Sequence, residues 1–541
     1  MAIRSWRFPL VAALLFLFPA AALADDASLD APPPNLTPTS VHLSAILAQH
    51  DAAVGKPTGA DTVIEDWRFT DSGVSGTLHL ERSGTDYHSR LVEGPFTEEF
   101  GQLNGKRWHR DYNGFVTPTT RTDDVTFFAE RINEDAADPK NDASVAGVTQ
   151  GTAPAYVVRV KVSDEEHPEW IFYGVASGLI SRVEWVTGKH RIVSLYDDFR
   201  TTGGVTTAWH VHDDWDPPEL DDDYVRTGLQ QGVAVNEAQF GQPSSAPVDG
   251  PQNIGFTIPA HMYNDGTIIM RMNVNGRGLD MLLDTAVNGD IIDEGVARQM
   301  GLPTFGHVDR AGGGDVPFET ILPVSSIGPF VRTNLAIYAE PFTSFQWSSA
   351  IEVVGVLGYD FLSSNVFKID YYNAKIQLIP AAQFDADDPV PGGVIYPIDF
   401  DDGLPFLTVG IGDVTSDNVL LANEILHTEF FDSFLEAHSD VFATSSETRQ
   451  EEDLPFADND QFGRNVEEWE TQPTDIHFGL VNFQQPLVRA SNYPLYLSED
   501  RPVDAALGWD FLKFFDVYLD YPHDRIIVKP NQFFMNMIHH A

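Results

Sequence analysis

The chain has 541 residues, a net charge of −47 and no cysteine. This length predicts three or four domains rather than one. The strong negative charge argues against nucleic acid and an anionic membrane surface as partners. Because cysteine is absent, we expect neither disulfide bonds nor a lipid-anchoring thiol.

The first residues have the pattern of an export signal. Arg4 and Arg7 precede an apolar stretch from Leu10 to Phe18, and Ala22-Leu23-Ala24 follows it. This order predicts a cleavable secretory signal over residues 1–24 rather than a membrane span. Nowhere later are there the roughly 18 uninterrupted apolar residues that a spanning helix needs. We therefore expect a periplasmic or secreted protein.

Residues 25–40 are rich in proline and predict a linker. A mainly β domain is then predicted over residues 41–240. Its first part, Val41 to Val54, has apolar spacing suited to a helix. Short runs in which apolar and polar residues alternate follow, for example Gly76 to Leu80 and Tyr156 to Val160. Such alternation predicts an antiparallel sheet.

The order of a helix followed by a run of strands resembles the LolA-like half-barrel of lipoprotein-sorting proteins. The resemblance implies a concave apolar face that holds a lipid, an acyl chain or an apolar peptide. A spacer or substrate-presenting domain with a filled core remains an alternative.

The same domain contains His210-Val211-His212-Asp213. On a strand, the two histidines face the same way and, with a carboxylate, have the donor types of a zinc site. Such pairs on the polar face of a sheet are usually solvated. We therefore expect no metal and no cofactor.

An internal repeat follows a second linker at residues 241–252. Residues 357–371 and 507–521 carry matching segments, Leu-Gly-aromatic-Asp-Phe-Leu and, five residues later, a strand ending in Asp-Tyr. Self-similarity of this kind determines the architecture. It predicts two tandem copies of one β lobe, at residues 253–381 and 390–531.

The first lobe contains Asp284-Thr285-Ala286, directly after the apolar run Met281 to Leu283, and later Gly355 to Leu362. These two segments resemble the signatures of retropepsin-like and pepsin-like aspartic peptidases. The resemblance implies that Asp284 is the catalytic carboxylate. It also implies that Thr285 bonds across the lobe interface. Ala286 departs from the glycine of the family: its N–H can still donate to the carboxylate, but the added Cβ narrows the backbone choices and crowds the approach.

The second lobe lacks the corresponding signature. Ala422 stands where a second catalytic Asp is expected, and Asn423 and Glu424 follow it. Two adjacent carboxylates share one proton, so that one acts as base and the other as acid. A single chain is therefore not expected to build the pair. Glu424 is a less favoured substitute, because a longer side chain from another backbone position requires rearrangement.

A homodimer in which each chain contributes one Asp284 is the expected solution, and two-fold symmetry makes it geometrically natural. The difficulty with this homodimer is that the second lobe of the same chain should occupy the same interface. A glycine-rich segment at residues 306–314, including Gly312 and Gly313, is either a flap over the substrate or a loose surface loop.

The predicted fold class is thus mainly β, with two tandem peptidase-type lobes preceded by a LolA-like half-barrel with a helix. The predicted function is an exported aspartic-type endopeptidase that hydrolyses polypeptides with water activated by Asp284. One alternative is an inactive pseudopeptidase that binds extended peptides or apolar or lipid ligands. A further alternative is an envelope-assembly protein in which the LolA-like domain is the active part.

Overall fold

The fold is mainly β, which confirms the predicted class. The computed structural model describes residues 30–56, 61–71, 73–119, 133, 135–162, 167–187, 190–215, 221–245, 255–306, 308–309, 315–316, 319–340, 351–384, 387–442, 468–492, 496–498 and 501–540.

The N-terminal part is an antiparallel half-barrel. Its strands are β1 Thr62–Asp71, β2 Val74–Ser83, β3 Asp86–Glu93, β4 Phe96–Leu103, β5 Lys106–Arg110, β6 Val116–Pro118, β7 Asp142–Val148, β8 Ala155–Lys161, β9 Glu169–Gly174, β10 Ile180–Thr187, β11 His190–Asp197, β12 Arg200–Thr202, β13 Val205–Thr207, β14 His210–Asp214 and β15 Asp222–Gln231. Thirteen of them form one sheet in the order β6-β5-β4-β3-β2-β1-β15-β14-β11-β10-β9-β8-β7, and β12 pairs with β13. We call this part the N-terminal sheet.

Helix α1, Leu43–Val54, packs against this sheet. Ile46 and His50 are its buried residues. The His50 ring meets the Tyr173 ring edge-on, with 5.4 Å between the ring centroids. The aromatic and branched side chains of alternate strand positions complete the core, as expected for a sheet with one buried face.

The remaining described residues form two β lobes, which we call the first lobe (residues 255–384) and the second lobe (residues 387–540). The elements of the first lobe are β16 Phe256–Ile258, β17 Ala260–Met262, β18 Ile268–Val274, β19 Arg277–Leu283, β20 Ile291–Asp293, α2 Glu294–Gln299, β21 Thr304–Phe305, β22 Val308–Asp309, β23 Asp315–Val316, β24 Glu319–Ile327, β25 Phe330–Glu340, β26 Val353–Leu357, α3 Tyr359–Leu362, β27 Val366–Asp370 and β28 Lys375–Ile379.

The elements of the second lobe are β29 Val394–Pro397, β30 Asp399–Asp401, β31 Leu404–Ile411, β32 Val414–Leu421, β33 Glu429–Phe430, α4 Asp432–Ala437, β34 Glu468–Thr471, β35 Asp475–Phe478, β36 Val481–Gln484, β37 Val488–Ser491, β38 Tyr496–Ser498, β39 Arg501–Pro502, β40 Ala505–Leu507, α5 Trp509–Leu512, β41 Phe515–Asp520, β42 Arg525–Pro530 and α6 Gln532–His540. Short 3-10 turns lie at Glu237–Gln239, Ala381–Gln383, Ser439–Val441 and Tyr521–His523.

The two lobes share one connectivity. In the first lobe, β26 lies between β19, to which it is parallel, and β20, to which it is antiparallel, and β20 is parallel to β25. In the second lobe, β40, β32, β33 and β37 repeat these pairings. The central strand β26 is buried along its whole length, which explains its continuous apolar run.

A six-stranded sheet joins the lobes, in the order β16-β28-β27-β41-β42-β29. Three strands come from each lobe, and the order on one side of the β27–β41 pair mirrors the order on the other. The contacts between lobes also recur. A Cβ on Gly266 would meet Trp509 of the second lobe at 2.5 Å, and one on Gly403 would meet Tyr359 of the first lobe at 2.9 Å. The lobes are therefore related by an approximate two-fold axis.

The N-terminal sheet docks on both lobes through the region of β4 to β6. The Asn113 side chain donates to the Ala336 carbonyl at 2.9 Å and accepts from the Ala336 N–H at 3.0 Å. The Asp402 N–H of the second lobe donates to the Pro118 carbonyl at 3.1 Å. Phe115 is buried within the core of the lobes. This interface thus combines paired backbone groups with a buried aromatic ring.

In the part of the chain that the structure describes, no helix is both long enough and apolar enough to cross a membrane.

Candidate active site between the lobes

Asp284 lies at the end of β19, in the interface between the two lobes. Its N–H donates to the Leu357 carbonyl at 3.0 Å, which continues the parallel pairing of β19 with β26. The Asp284 side chain is almost fully enclosed, because the residue is 1% exposed. The Ala286 N–H donates to Asp284 Oδ1 at 2.7 Å. A methyl group at position 286 is therefore compatible with this hydrogen bond.

The turn that follows Asp284 is bonded to the second lobe. Thr285 Oγ1 donates to the Leu421 carbonyl at 2.7 Å, and the Thr285 N–H donates to Asn423 Oδ1 at 2.9 Å. Thr285 and Asn423 are each 1% exposed. Buried hydrogen bonds of this kind hold the turn in place, because breaking one would leave an unpaired polar group.

The second lobe makes the corresponding hydrogen bonds to the first lobe. The Asn423 N–H donates to Thr285 Oγ1 at 3.0 Å, and Asn423 Nδ2 donates to the Leu283 carbonyl at 3.1 Å. The Ala422 N–H donates to the Leu507 carbonyl at 3.1 Å, as Asp284 does to Leu357. Ala422 and Asn423 therefore occupy the positions that Asp284 and Thr285 occupy in the first lobe.

The structure brings Glu424 to Asp284. Glu424 occupies the position in the second lobe that corresponds to Ala286, and its carboxyl forms a hydrogen bond with the Asp284 carboxyl. From the sequence, Glu424 is the less favoured source of a second carboxyl. The relevant signal is the gap-free match of Asp284-Thr285-Ala286 with residues 422–424, because it places Glu424 two residues after position 422, where the second carboxylate is expected.

The two carboxyls differ in acidity. Burial raises the pKa of Asp284, whereas the hydrogen bonds from Glu424 and from the Ala286 N–H oppose this rise. Burial, the negative charge of Asp284 and their hydrogen bond together raise the pKa of Glu424 well above its usual range. Two adjacent carboxyls share one proton, and burial, the charge of Asp284 and the hydrogen bond all favour the protonated form of Glu424.

Three polar atoms around this pair have no hydrogen-bond partner among the described residues. They are Glu424 Oε2 and the hydroxyls of Tyr371 and Tyr521, and all three are buried. Both carboxylates help to raise the pKa of Tyr521 after burial, and Glu424 does so for Tyr371. Buried polar groups with unused hydrogen-bonding capacity thus lie near the carboxyl pair.

The turn is supported from the first lobe by a second pair of acids. The Asp290 N–H donates to Asp360 Oδ2 at 3.1 Å, and the Gly358 N–H donates to Asp290 Oδ1 at 2.9 Å. In the second lobe, Thr428 and Asp510 make the equivalent contacts. Asp360 and Asp510 each accept a hydrogen bond from a backbone N–H of the turn, and Asp510 also accepts one from the Thr428 hydroxyl at 2.8 Å. We therefore assign both to the support of the turns.

Gly358 has a packing role at this turn. A Cβ at that position would lie 2.3 Å from the Gly289 carbonyl oxygen and 2.6 Å from that of Val287. A contact this short requires the backbone to move, so only glycine fits.

Gly312 and Gly313 lie outside the described residues. His210 bonds Asp197 and Asp223 through its two ring nitrogens, each at 2.8 Å. In the described ranges, no group of three or more histidine, aspartate or glutamate side chains has an arrangement that holds a metal ion.

Parts of the chain are similar to solved structures. A LolA superfamily protein from Nitrosomonas europaea is 10% identical, over 37% of this chain and 98% of that chain, with a TM-score of 0.29. A retropepsin-like aspartic protease from Rickettsia conorii is 18% identical, over 23% of this chain and 89% of that chain, with a TM-score of 0.18. Basic 7S globulin from soybean is 10% identical, over 53% of this chain and 97% of that chain, with a TM-score of 0.31.

At these identities and TM-scores, we draw no functional conclusion from the likeness. No protein-family model matches the chain, and no curated protein matches it significantly.

Proposed function

We propose that this chain is an exported aspartic-type endopeptidase in which Asp284 activates the attacking water. The observation that carries the proposal is the position of Asp284. It lies in a turn bonded across two similar lobes, and a backbone N–H at 2.7 Å holds its carboxylate. Groups with perturbed acidity that lie between domains are frequent at catalytic sites.

The chemistry needs one base and one acid. The ionised carboxylate takes a proton from water as the water oxygen attacks the carbonyl carbon of the peptide bond. A protonated carboxyl donates its proton to the carbonyl oxygen. The tetrahedral intermediate then collapses when the nitrogen of the leaving amine receives a proton and its bond to carbon breaks.

Export and domain organisation belong to the same proposal. The signal-like residues 1–24 support a periplasmic or secreted location, and they lie outside the described residues. We retain the divisions 41–240, 253–381 and 390–531 as the proposed domains. The proposed partner is an unfolded or extended polypeptide, and an apolar or lipid ligand is proposed for the N-terminal domain.

A second candidate is a binding protein that holds an extended peptide without cutting it. It is favoured by the small exposure of Asp284 and by the apolar cluster that contains Ala286 and Ala422. In this case the two lobes would bind the peptide through strand-like main-chain hydrogen bonds.

Cleavage of an unstructured polypeptide tests the two candidates. Asp284→Asn keeps an oxygen to accept the Ala286 N–H but removes the base, so we expect it to abolish cleavage. Asp280→Asn is a matched control on the same strand, where Asp280 pairs with Arg271 on the surface, and we expect it to retain activity. Binding of the polypeptide without turnover by the wild type would contradict the peptidase proposal and support the binding protein.

A further inference from the structure

We propose that Glu424 supplies the second catalytic carboxyl, so that one chain holds a complete Asp–Glu pair and works as a monomer. This inference rests on the proposed peptidase function. It replaces the expected homodimer, in which a second Asp284 comes from another chain.

The register between the lobes places Glu424 beside Asp284. The reciprocal bonds of Thr285 and Asn423 match the two turns residue for residue. Position 424 is therefore equivalent to position 286, whose N–H bonds the Asp284 carboxylate of its own lobe. Glu424 thus lies next to position 422, where the second carboxylate is expected, and its carboxyl contacts that of Asp284. Ala422 carries only a methyl group where the second Asp is expected, which leaves room for the Glu424 carboxyl.

The hydrogen-bonding of Glu424 fits a catalytic acid. One side of its carboxyl meets Asp284, and Oε2 is buried with no partner among the described residues. A purely structural carboxyl would be expected to use both oxygens, because a buried unpaired oxygen is costly. Glu424 thus keeps one oxygen available to a substrate group while it shares a proton with Asp284.

The proposed step balances protons within the pair. Asp284 takes a proton from water, and the resulting hydroxyl bonds to the carbonyl carbon while Glu424 gives its proton to the carbonyl oxygen. On collapse, Asp284 returns its proton to the amine nitrogen, the C–N bond breaks, and Glu424 recovers a proton from a hydroxyl of the intermediate. Both carboxyls end in their initial states.

The same contacts disfavour the homodimer. To bring two copies of Asp284 together, the second lobe would have to leave its place against the first. Four buried hydrogen bonds between Thr285, Asn423 and the neighbouring carbonyls would then break, and the six-stranded sheet that joins the lobes would be disturbed.

Kinetics of Glu424 variants test the proposal. Glu424→Gln keeps the shape and the hydrogen bond but cannot give up a proton, so we expect cleavage to fall at least about 100-fold, within the range for loss of a general acid. Glu436→Gln, an exposed glutamate in the same lobe, is the matched control and should retain full activity. The double variant Ala422→Asp with Glu424→Gly moves the carboxyl to the expected position and should restore part of the activity.

The mass and concentration dependence are measured on the same samples. We expect light scattering to give a monomer, and the rate per chain to stay constant on dilution. If Glu424→Gln retains activity while Asp284→Asn abolishes it, the peptidase function stands and the role of Glu424 is refuted. A dimer whose activity per chain falls on dilution also refutes it.

A spectroscopic measurement is independent of turnover. Infrared difference spectra between wild type and Glu424→Gln should show a protonated carboxyl at neutral pH, and the Glu436→Gln difference should not. Absence of that protonated carboxyl would overturn the proposal, whether or not the protein cleaves a substrate.

Discussion

His109 is predicted to link the N-terminal sheet to the second lobe in a pH-dependent way. It is 6% exposed, and its ring stacks on Phe100 at 4.4 Å between centroids. Its Nδ1 lies 2.5 Å from Asp402 Oδ1 of the second lobe, and its Nε2 lies 3.1 Å from Glu98 Oε1. Asp402 Oδ2 also accepts a hydrogen bond from the side chain of Asn288, which follows the Asp284 turn, at 3.4 Å.

The size of this pH-dependent stabilisation follows from the pKa of the His109 imidazole. Burial alone would lower the pKa of His109, but the charges and hydrogen bonds of Asp402 and Glu98 raise it from 6.5 to about 10. At about 1.4 kcal/mol for each pKa unit, the charged imidazole stabilises the folded state by at most about 5 kcal/mol. Since the folded pKa is the higher one, this contribution is complete below about pH 6.5. It is lost as the pH rises towards about 10.

Hydrogen exchange of the peptide that contains Asp402 measures this effect, because the Asp402 N–H bonds to Pro118 across the interface. We expect His109→Gln to exchange much faster than wild type at pH 6.5, and the difference to shrink as the pH approaches 10. His79→Gln is the control. His79 pairs with Asp66 within the N-terminal sheet and has a side chain that is 42% exposed, where such pairs contribute little. A difference of constant size from pH 6.5 to 10 would refute the reasoning.

Three further perturbations probe the turns. Asn423→Ala removes the two buried hydrogen bonds between the lobes that the Asn423 side chain makes and should lower the free energy of unfolding by roughly 2–4 kcal/mol in urea, whereas Asn423→Thr should lose less. Gly358→Ala forces a contact of 2.3 Å with a carbonyl oxygen and should lower the melting temperature and abolish cleavage. Gly241→Ala, whose nearest atom lies at 3.5 Å, should change little. Because burial raises the pKa of Asp284, cleavage should fall with decreasing pH at a value above the usual aspartate pKa of about 4, as measured by initial rates.

Much of the architecture can be predicted from patterns within the sequence. Alternation of apolar and polar residues predicts the antiparallel N-terminal sheet. The match of residues 357–371 with 507–521 predicts two similar units. Both signals are local or repeated, so a single sequence displays them. The turn at Asp284 is likewise visible because a carboxylate directly follows a buried strand.

The contact between Asp284 and Glu424 could not be predicted from the sequence as directly as the turn at Asp284. The alignment of the turns shows that Glu424 takes the position of Ala286, but only the side-chain conformation shows where its carboxyl goes. The contact of His109 with Asp402 joins residues 293 positions apart. This contact depends on how the N-terminal sheet docks on the second lobe, and no repeat or motif in the sequence indicates that docking.

The cross-lobe bonds explain how the second lobe can lack an aspartate at position 422 without loss of the fold. Thr285 and Asn423 satisfy each other and the carbonyls of Leu283 and Leu421, and none of these bonds uses a carboxyl. The interface therefore tolerates alanine at position 422, since the buried polar groups stay paired. In the proposed mechanism, the chemistry requires an acid near Asp284 but not a particular backbone position for it. A glutamate two residues further along meets that requirement, because its longer side chain reaches back to Asp284 from the turn.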